Sequence, residues 1–521
     1  MENNPDIKPK SKLLTYIVIV IVLAAIIGGG AVYYYFSTHK SSTTETISIA
    51  APVYGSSKST WVNFINNATK SWQAAHPNVK IKFVGPFGAS SEGKYYTKLD
   101  LLTSSKSTAP TIMLEDMFYT ATYQHEGILA PLNSYVNSSF FSNTYSSALG
   151  QMSINGTHYG LPAQVTDTLI YYNISLLQKA GVISSSNTTW QPTNWTQIIN
   201  AAQKVNLTLS SKGVVPLNIY EGVRGDEASS FTGFEGLLYG TGYGLYNFTN
   251  HKWYGNNPGL NETLHFYKTA FSKGYATSAL SSTPYVTVGQ YMQEGKLAIG
   301  IDGSWMYGYQ WAPGAQHPVT NFSKYVGIAK IPTINGGGNK FNTMVGGWGW
   351  AMYNNIPSSE KPAVASFMMA LDNTSNQISL NEPGHTPLAG GLPAAKNAIN
   401  NPNFSKLMPG ASYLDTFYAK LLQYGSYRPP VSGYPTVSSA LQTAMGSVVS
   451  GHKSVSSALS AYDSTLISSF GASHVQTLSG NSPSIQSSPT YYNYHNNKNT
   501  QTFLDGYFTN MSIFTYNYIF W

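Results

Sequence analysis

The side chains that could do chemistry in this chain are mainly carboxylates and indoles. Glu115 and Asp116 close an apolar run (TIMLED), Glu221 precedes Asp226 and Glu227, and Asp302 follows a second apolar run. Two carboxylates facing one glycosidic bond would make a hydrolase. The same groups lining a cleft would accept hydrogen bonds from sugar hydroxyls. The indoles carry more information. Trp305, Trp348 and Trp350 lie among glycines, in IDGSWMYG and VGGWGWAM. Glycine neighbours leave the backbone open to close approach, and a flat indole suits the C–H face of a pyranose. Trp350 is the member of the three best suited to cap a core. Trp253 falls in a polar HKWYGNN stretch and is expected in a loop remote from any cleft.

Several chemistries are excluded. The chain has no cysteine, hence no thiolate nucleophile, disulfide, Cys-ligated zinc or Cys-linked lipid anchor. Gly93-Lys94 and Gly295-Lys296 lack the spacing of a phosphate loop, and no G-x-S-x-G nucleophile elbow is present. His125-Glu126 opens like a zincin helix, but Gly127 follows and no second histidine is suitably placed, so neither metal nor cofactor is expected. The net charge of +7 comes from basic residues scattered singly, which is not a nucleic-acid footprint. Charged residues are only 10% of the chain, their place taken by hydroxyls, amides and tyrosines. Such a surface changes its charge little as pH falls and points to an acidic external medium.

From Thr46 onward, strand patterns alternate with helical ones, as in parallel sheets covered by helices. TISIAAPV, VKIKFVG and TIMLED read as strands. WVNFINNATKSWQAAH, with Trp61, Phe64, Ile65, Ala68 and Trp72 at helical spacing, and TKLDLLTSS read as helices. Glycine and proline clusters near 336–338, 383–393 and 428–435 mark loops. Residues 471–521 are expected to form a Ser/Asn-rich linker ending in an aromatic extension.

Ahead of this body, residues 1–12 form a basic tail and residues 13–36 carry no charge. That apolar run, on the order of 36 Å as a helix, is long enough to cross a hydrocarbon core of roughly 30 Å. Lys8, Lys10 and Lys12 before it place the N-terminus in the cytoplasm, and residues 37–45 become a stalk to an extracellular body. The competing reading is a long signal peptide cut near Gly30-Ala31. Glycosylation sequons at Asn67, Asn137, Asn155, Asn173, Asn187, Asn194, Asn206, Asn247, Asn261, Asn321, Asn373, Asn403 and Asn510 agree with exposure outside the cell.

Six segments in order resemble the family 1 extracellular solute-binding proteins, the maltose-binding-protein-like receptors of ABC importers. They are HYGLPAQVTDTLIYYNISLLQKAGV (158–182), QPTNWTQIINAAQKV after it, YMQEGKLAIGIDGSWMYG (291–308), VGIAKIPT with VGGWGWAMYNNIPSSEKPAVASFMMALDN, GGLPAAKNAI, and YRPPVSGYPTVSSALQTAMGSVVSGHKSVSSALSAY. The anchor, the sequons and the tail depart from the bacterial pattern, and an anchored external protein without cysteine looks archaeal.

The resemblance implies a two-lobed α/β periplasmic-binding-protein-like fold (type II) with a multi-strand hinge. Lobe one would hold 46–161 and 327–375, and lobe two 162–326 and 376–470. It implies a sugar ligand, an ABC permease with its ATPase as partner, and no catalysis. It also implies ligand contacts from Trp305, Asp167, Glu115, Asp116, Tyr119, Glu221, Tyr220, Trp348 and Tyr434. Alternatives are a receptor for another polar solute (a polyol, glycerol phosphate or a peptide), an anchored glycosidase, and a surface-layer or adhesion protein.

Overall fold

The computed structural model describes residues 46–52, 58–85, 92–283, 285–337, 340–383, 385–386 and 388–478. The expected basic tail, membrane segment and stalk, Asn510 and the aromatic extension lie outside them. Among the described residues no helix is long and apolar enough to cross a membrane.

Two α/β lobes are built on separate sheets. The first sheet runs in the spatial order Lys80–Gly85, Thr46–Ala50, Ile112–Asp116, Trp348–Met352, Gly160–Pro162. Its three leading strands are parallel neighbours linked through helices, as the alternating pattern requires. Helix Lys58–Ala68 buries Trp61, Phe64 and Ile65, and a break at Thr69 separates it from Lys70–Ala75, which buries Trp72. Trp350 packs edge-on to Trp61 at 6.2 Å and belongs to this core.

The second sheet is centred on the ten-residue strand Gln164–Asn173, buried throughout. Leu297–Gly303 pairs with one side of it, and Val326–Ala329, Phe341–Gly346 and Leu392–Pro393 pair with it at other positions. Helices Trp195–Leu209, Pro258–Ser272, Tyr434–Val449 and Val455–Phe470 belong to this lobe.

The hinge lies where two crossing strands change sheets side by side. One leaves the first sheet at Pro162 and enters the second at Gln164, and the other leaves the second at Gly346 and enters the first at Trp348. Gly347, at φ +152°, sits at this handover, where a Cβ would fall 2.0 Å from the Gln164 carbonyl oxygen. Only glycine tolerates both the conformation and the contact. A third connection runs through helix Thr374–Asn381, tied to the hinge by Gln377 Nε2 donating to the Pro162 carbonyl (3.1 Å) and Gln164 Nε2 donating to Asn381 Oδ1 (2.6 Å).

Three sequence expectations change. The boundary expected at 327 falls at Gly347, because Val326–Ala329 and Phe341–Gly346 hydrogen-bond into the second sheet. The linker expected from 471 begins later, since Val475–Thr477 pairs with Lys252–Asn256. That second strand carries Trp253, which is buried between Tyr246 and Phe470 and is a core residue. Its polar neighbours concealed a strand stabilised by distant partners.

Candidate functional site

The lobes meet at the C-terminal end of strand Ile112–Asp116, where open α/β sheets present a crevice. Alternation along that strand sends its two carboxylates to opposite faces. Asp116, paired in register with Trp348, points to the meeting of the lobes. Glu115, paired with Gly349, is fully buried in its own lobe, where Thr120 Oγ1 donates to it at 2.8 Å. Burial pushes the Glu115 carboxyl up to about 8. Glu115 is thus a core acid of the first lobe, whereas Asp116 faces the other lobe.

Asp116 receives a charge-assisted hydrogen bond from Arg428 Nη2, contributed by the other lobe. Arg428 Nη1 lies 3.4 Å from Glu227 Oε1. The guanidinium carbon sits 4.1 Å from the ring centre of Phe118 and 4.3 Å from that of Phe231, one ring from each lobe. Gly346 makes room: a Cβ there would lie 2.9 Å from Arg428 Nη2 and 3.1 Å from Phe231.

Glu227 is held further by Ser438 Oγ (2.7 Å) and Tyr434 OH (2.9 Å), and the Tyr434 hydroxyl also hydrogen-bonds with the Glu235 carboxyl. Burial raises the Glu227 carboxyl against the opposing pull of Arg428, and raises Glu235 to about 8. Tyr434 is therefore buried inside a polar network of the second lobe, with its ring edge-on to Phe118 at 5.3 Å.

A second contact joins the lobes. Asp226, in the left-handed region at φ +53°, accepts at Oδ2 from the backbone N–H of Gly93 at 2.6 Å. Gly93 lies in the first turn of helix Glu92–Thr103, so the carboxylate meets the positive end of the helix dipole.

Trp305 is half-buried, stacked near-parallel on Phe231 at 6.4 Å and edge-on to Tyr285 at 5.5 Å. Its indole N–H is buried with no hydrogen-bond partner among the described residues. Phe231 thus connects Trp305 to the Arg428 cluster. Tyr119 is half-buried and stacks on Tyr96 at 3.5 Å.

The other expected contacts lie below the surface. Asp167 is fully buried, which holds its carboxyl well above the usual range, and Asp302 is raised by burial to about 7. Tyr220 is also fully buried and donates to Asp302 Oδ2 at 2.8 Å. Glu221 is nearly buried. Trp348 lies in the first lobe's core, edge-on to Tyr95 at 6.1 Å. Glycines around the tryptophans mostly admit the protein's own atoms: a Cβ on Gly303 would strike the Trp305 ring at 2.1 Å, and one on Gly349 would strike Met152 at 2.2 Å.

Sequence reasoning missed the roles of Arg428, Phe118 and Phe231. One signal was available, since Arg224 and Arg428 are the only arginines in the chain and Arg224 is exposed. Two π-helical turns, Ala228–Glu235 around Phe231 and Tyr307–Trp311 just after Trp305, had no sequence signature; such turns recur at functional sites. Among the sequons, Asn67, Asn137, Asn155, Asn187, Asn321, Asn373 and Asn403 are exposed. Asn173 is buried and caps helix Ile174–Lys179 through Leu176 N–H, so it is no glycan acceptor in this fold.

A family profile described as bacterial extracellular solute-binding protein matches residues 54–377. A Brucella abortus (strain 2308) protein described as a binding protein is 22% identical over 46% of this chain, and the match spans about half (54%) of its own length. Solved structures resemble the fold at low identity. A cyclic alpha-maltosyl-1,6-maltose binding protein of Arthrobacter globiformis aligns with TM-score 0.62 and 20% identity over 82% of this chain and 99% of its own. Maltose-bound MalE3 of T. maritima gives 0.65 and 16% over 81% and 98%. A ribitol complex of an ABC transporter solute binding protein of Agrobacterium radiobacter gives 0.65 and 19% over 82% and 98%.

Proposed function

As the chain belongs to the bacterial extracellular solute-binding protein family, we propose that it is the substrate-binding component of an ABC importer, capturing a neutral polyhydroxylated solute between its lobes. One observation carries the substrate class: Arg428, the buried arginine of the cleft, is already bonded to Asp116 and Glu227. An anionic ligand such as a glycerol phosphate calls for a cation free to meet it. Aromatic faces and hydroxyls surround this committed cation, and they suit sugar rings and polyols. Trp305 supplies a stacking face and an indole N–H for a ligand hydroxyl, with Tyr119 and Asp116 on the opposite lobe.

The same arrangement argues against a hydrolase. Asp116 and Glu227 face each other across the lobes, but both are engaged by Arg428, so neither is free to serve as acid or base on a glycosidic bond. In this reading residues 13–36 tether the body outside the cell, the exposed sequons carry glycans, and a permease with its ATPase receives the solute.

A thermal-shift screen of the full-length protein against sugars, polyols, glycerol phosphates and peptides tests the class. Stabilisation by neutral sugars or polyols, with the best one recovered chemically intact, is the expected result. Stabilisation by phosphates or peptides alone overturns the substrate class. Release of reducing ends that disappears in Glu227→Gln establishes the glycosidase instead.

A further inference from the structure

We infer that the protein carries its own inter-lobe latch, which closes the cleft without any solute, with Arg428 as the bolt. The inference concerns regulation of the cleft described above and rests on the two-lobed receptor reading. The lobes are joined away from the hinge by direct contacts between their own residues. The Arg428 guanidinium reaches from the second lobe to Asp116 of the first. It also lies against one aromatic face from each lobe, Phe118 and Phe231. Asp226 separately docks on the N-terminal turn of helix Glu92–Thr103 through Gly93 N–H.

The chemistry explains why such a contact holds. A guanidinium is planar and weakly hydrated, so it can stack on rings while its edge binds carboxylate. Arg428 is pre-positioned within its own lobe by Glu227, which Ser438 and Tyr434 fix in turn. Closure therefore orders few additional groups. A residue that merely stabilised the second lobe would need Glu227 but not Asp116. Asp226 strengthens the case, because it adopts a left-handed conformation unusual for a non-glycine residue where it meets the opposite lobe. The latch sets the ligand-free balance between closed and open forms, and solute enters through the open one.

Because the chain lacks cysteine, single thiols can be introduced cleanly. Leu101, 69% exposed on the first lobe, and Leu207, 78% exposed on the second, are suitable labelling positions. Spin–spin distances in full-length L101C/L207C protein, measured with no sugar present, should form one narrow population. Arg428→Met and, independently, Asp116→Asn should shift and broaden that population. Circular dichroism accompanies each variant, and if Arg428→Met does not fold, Asp116→Asn decides, since it leaves the Arg428–Glu227 pair in place. A broad population in the unsubstituted protein, or unchanged distances in folded Asp116→Asn, overturns the latch. A parallel titration with maltose separates the two ideas: failure of maltose and other sugars to bind counts against the receptor reading, while the sugar-free distances still judge the latch.

Discussion

Acidification should stabilise this protein, and the size of the effect follows from its buried carboxyls. Glu115 and Glu235 are raised from 4.5 to about 8, and Asp302 from 3.8 to about 7, each chiefly by burial. A carboxyl raised in the fold is protonated there while the unfolded chain has already lost its proton. The native state then binds more protons, so stability falls as pH rises through the window between the unfolded and folded values, and returns as pH falls. Each group contributes about 1.4 kcal/mol per pH unit inside its window, and three groups contribute about 4 kcal/mol per unit between pH 5 and pH 7. For a chain of this size that corresponds to a Tm rise on the order of 5–10 °C from pH 7 to pH 5. Asp167, Asp372 and Asp415, also raised by burial, act with the same sign. His158, lowered by burial, acts against it below its ordinary value. Differential scanning calorimetry of the full-length protein from pH 4.5 to pH 8 measures the slope, and Glu115→Gln and Glu235→Gln should each flatten it by about 1.4 kcal/mol per pH unit. A Tm that falls between pH 7 and pH 5, or a slope untouched by either variant, refutes the reasoning.

Other outcomes follow from single contacts. Trp305→Ala should weaken binding of the best neutral sugar by roughly 5- to 150-fold in calorimetry, the loss of one stacked ring face, with little change in the free protein's Tm. Gly347→Ala should cost about 2–4 kcal/mol in denaturant unfolding, since a Cβ at the strand crossing would meet the Gln164 carbonyl. Trp253→Ala should cost about 3–5 kcal/mol, because it empties a packed site between Tyr246 and Phe470; unchanged stability would return Trp253 to a surface loop.

The sequence by itself determined what depends on local periodicity and turn chemistry. The strands at 46–50, 80–85 and 112–116 were legible because apolar residues follow strand spacing between turn signals. The helix carrying Trp61, Phe64 and Ile65 was legible through its i, i+3, i+4 pattern. The family resemblance was legible because six segments keep their order, and with it came the two-lobed architecture. Local pattern could not tell that Glu115 turns into a core while Asp116 turns to the cleft, because a strand's faces acquire meaning only from what packs on each side. Nor could it place the lobe boundary at Gly347, which is set by hydrogen bonding of Val326–Ala329 and Phe341–Gly346 to Gln164–Asn173. Asn173 reads as a sequon and is a buried helix cap. The Arg428–Asp116 bond joins residues 312 positions apart. Such a pair leaves no trace in any local window, because proximity across a cleft is created only when both lobes have folded and the hinge has brought them together.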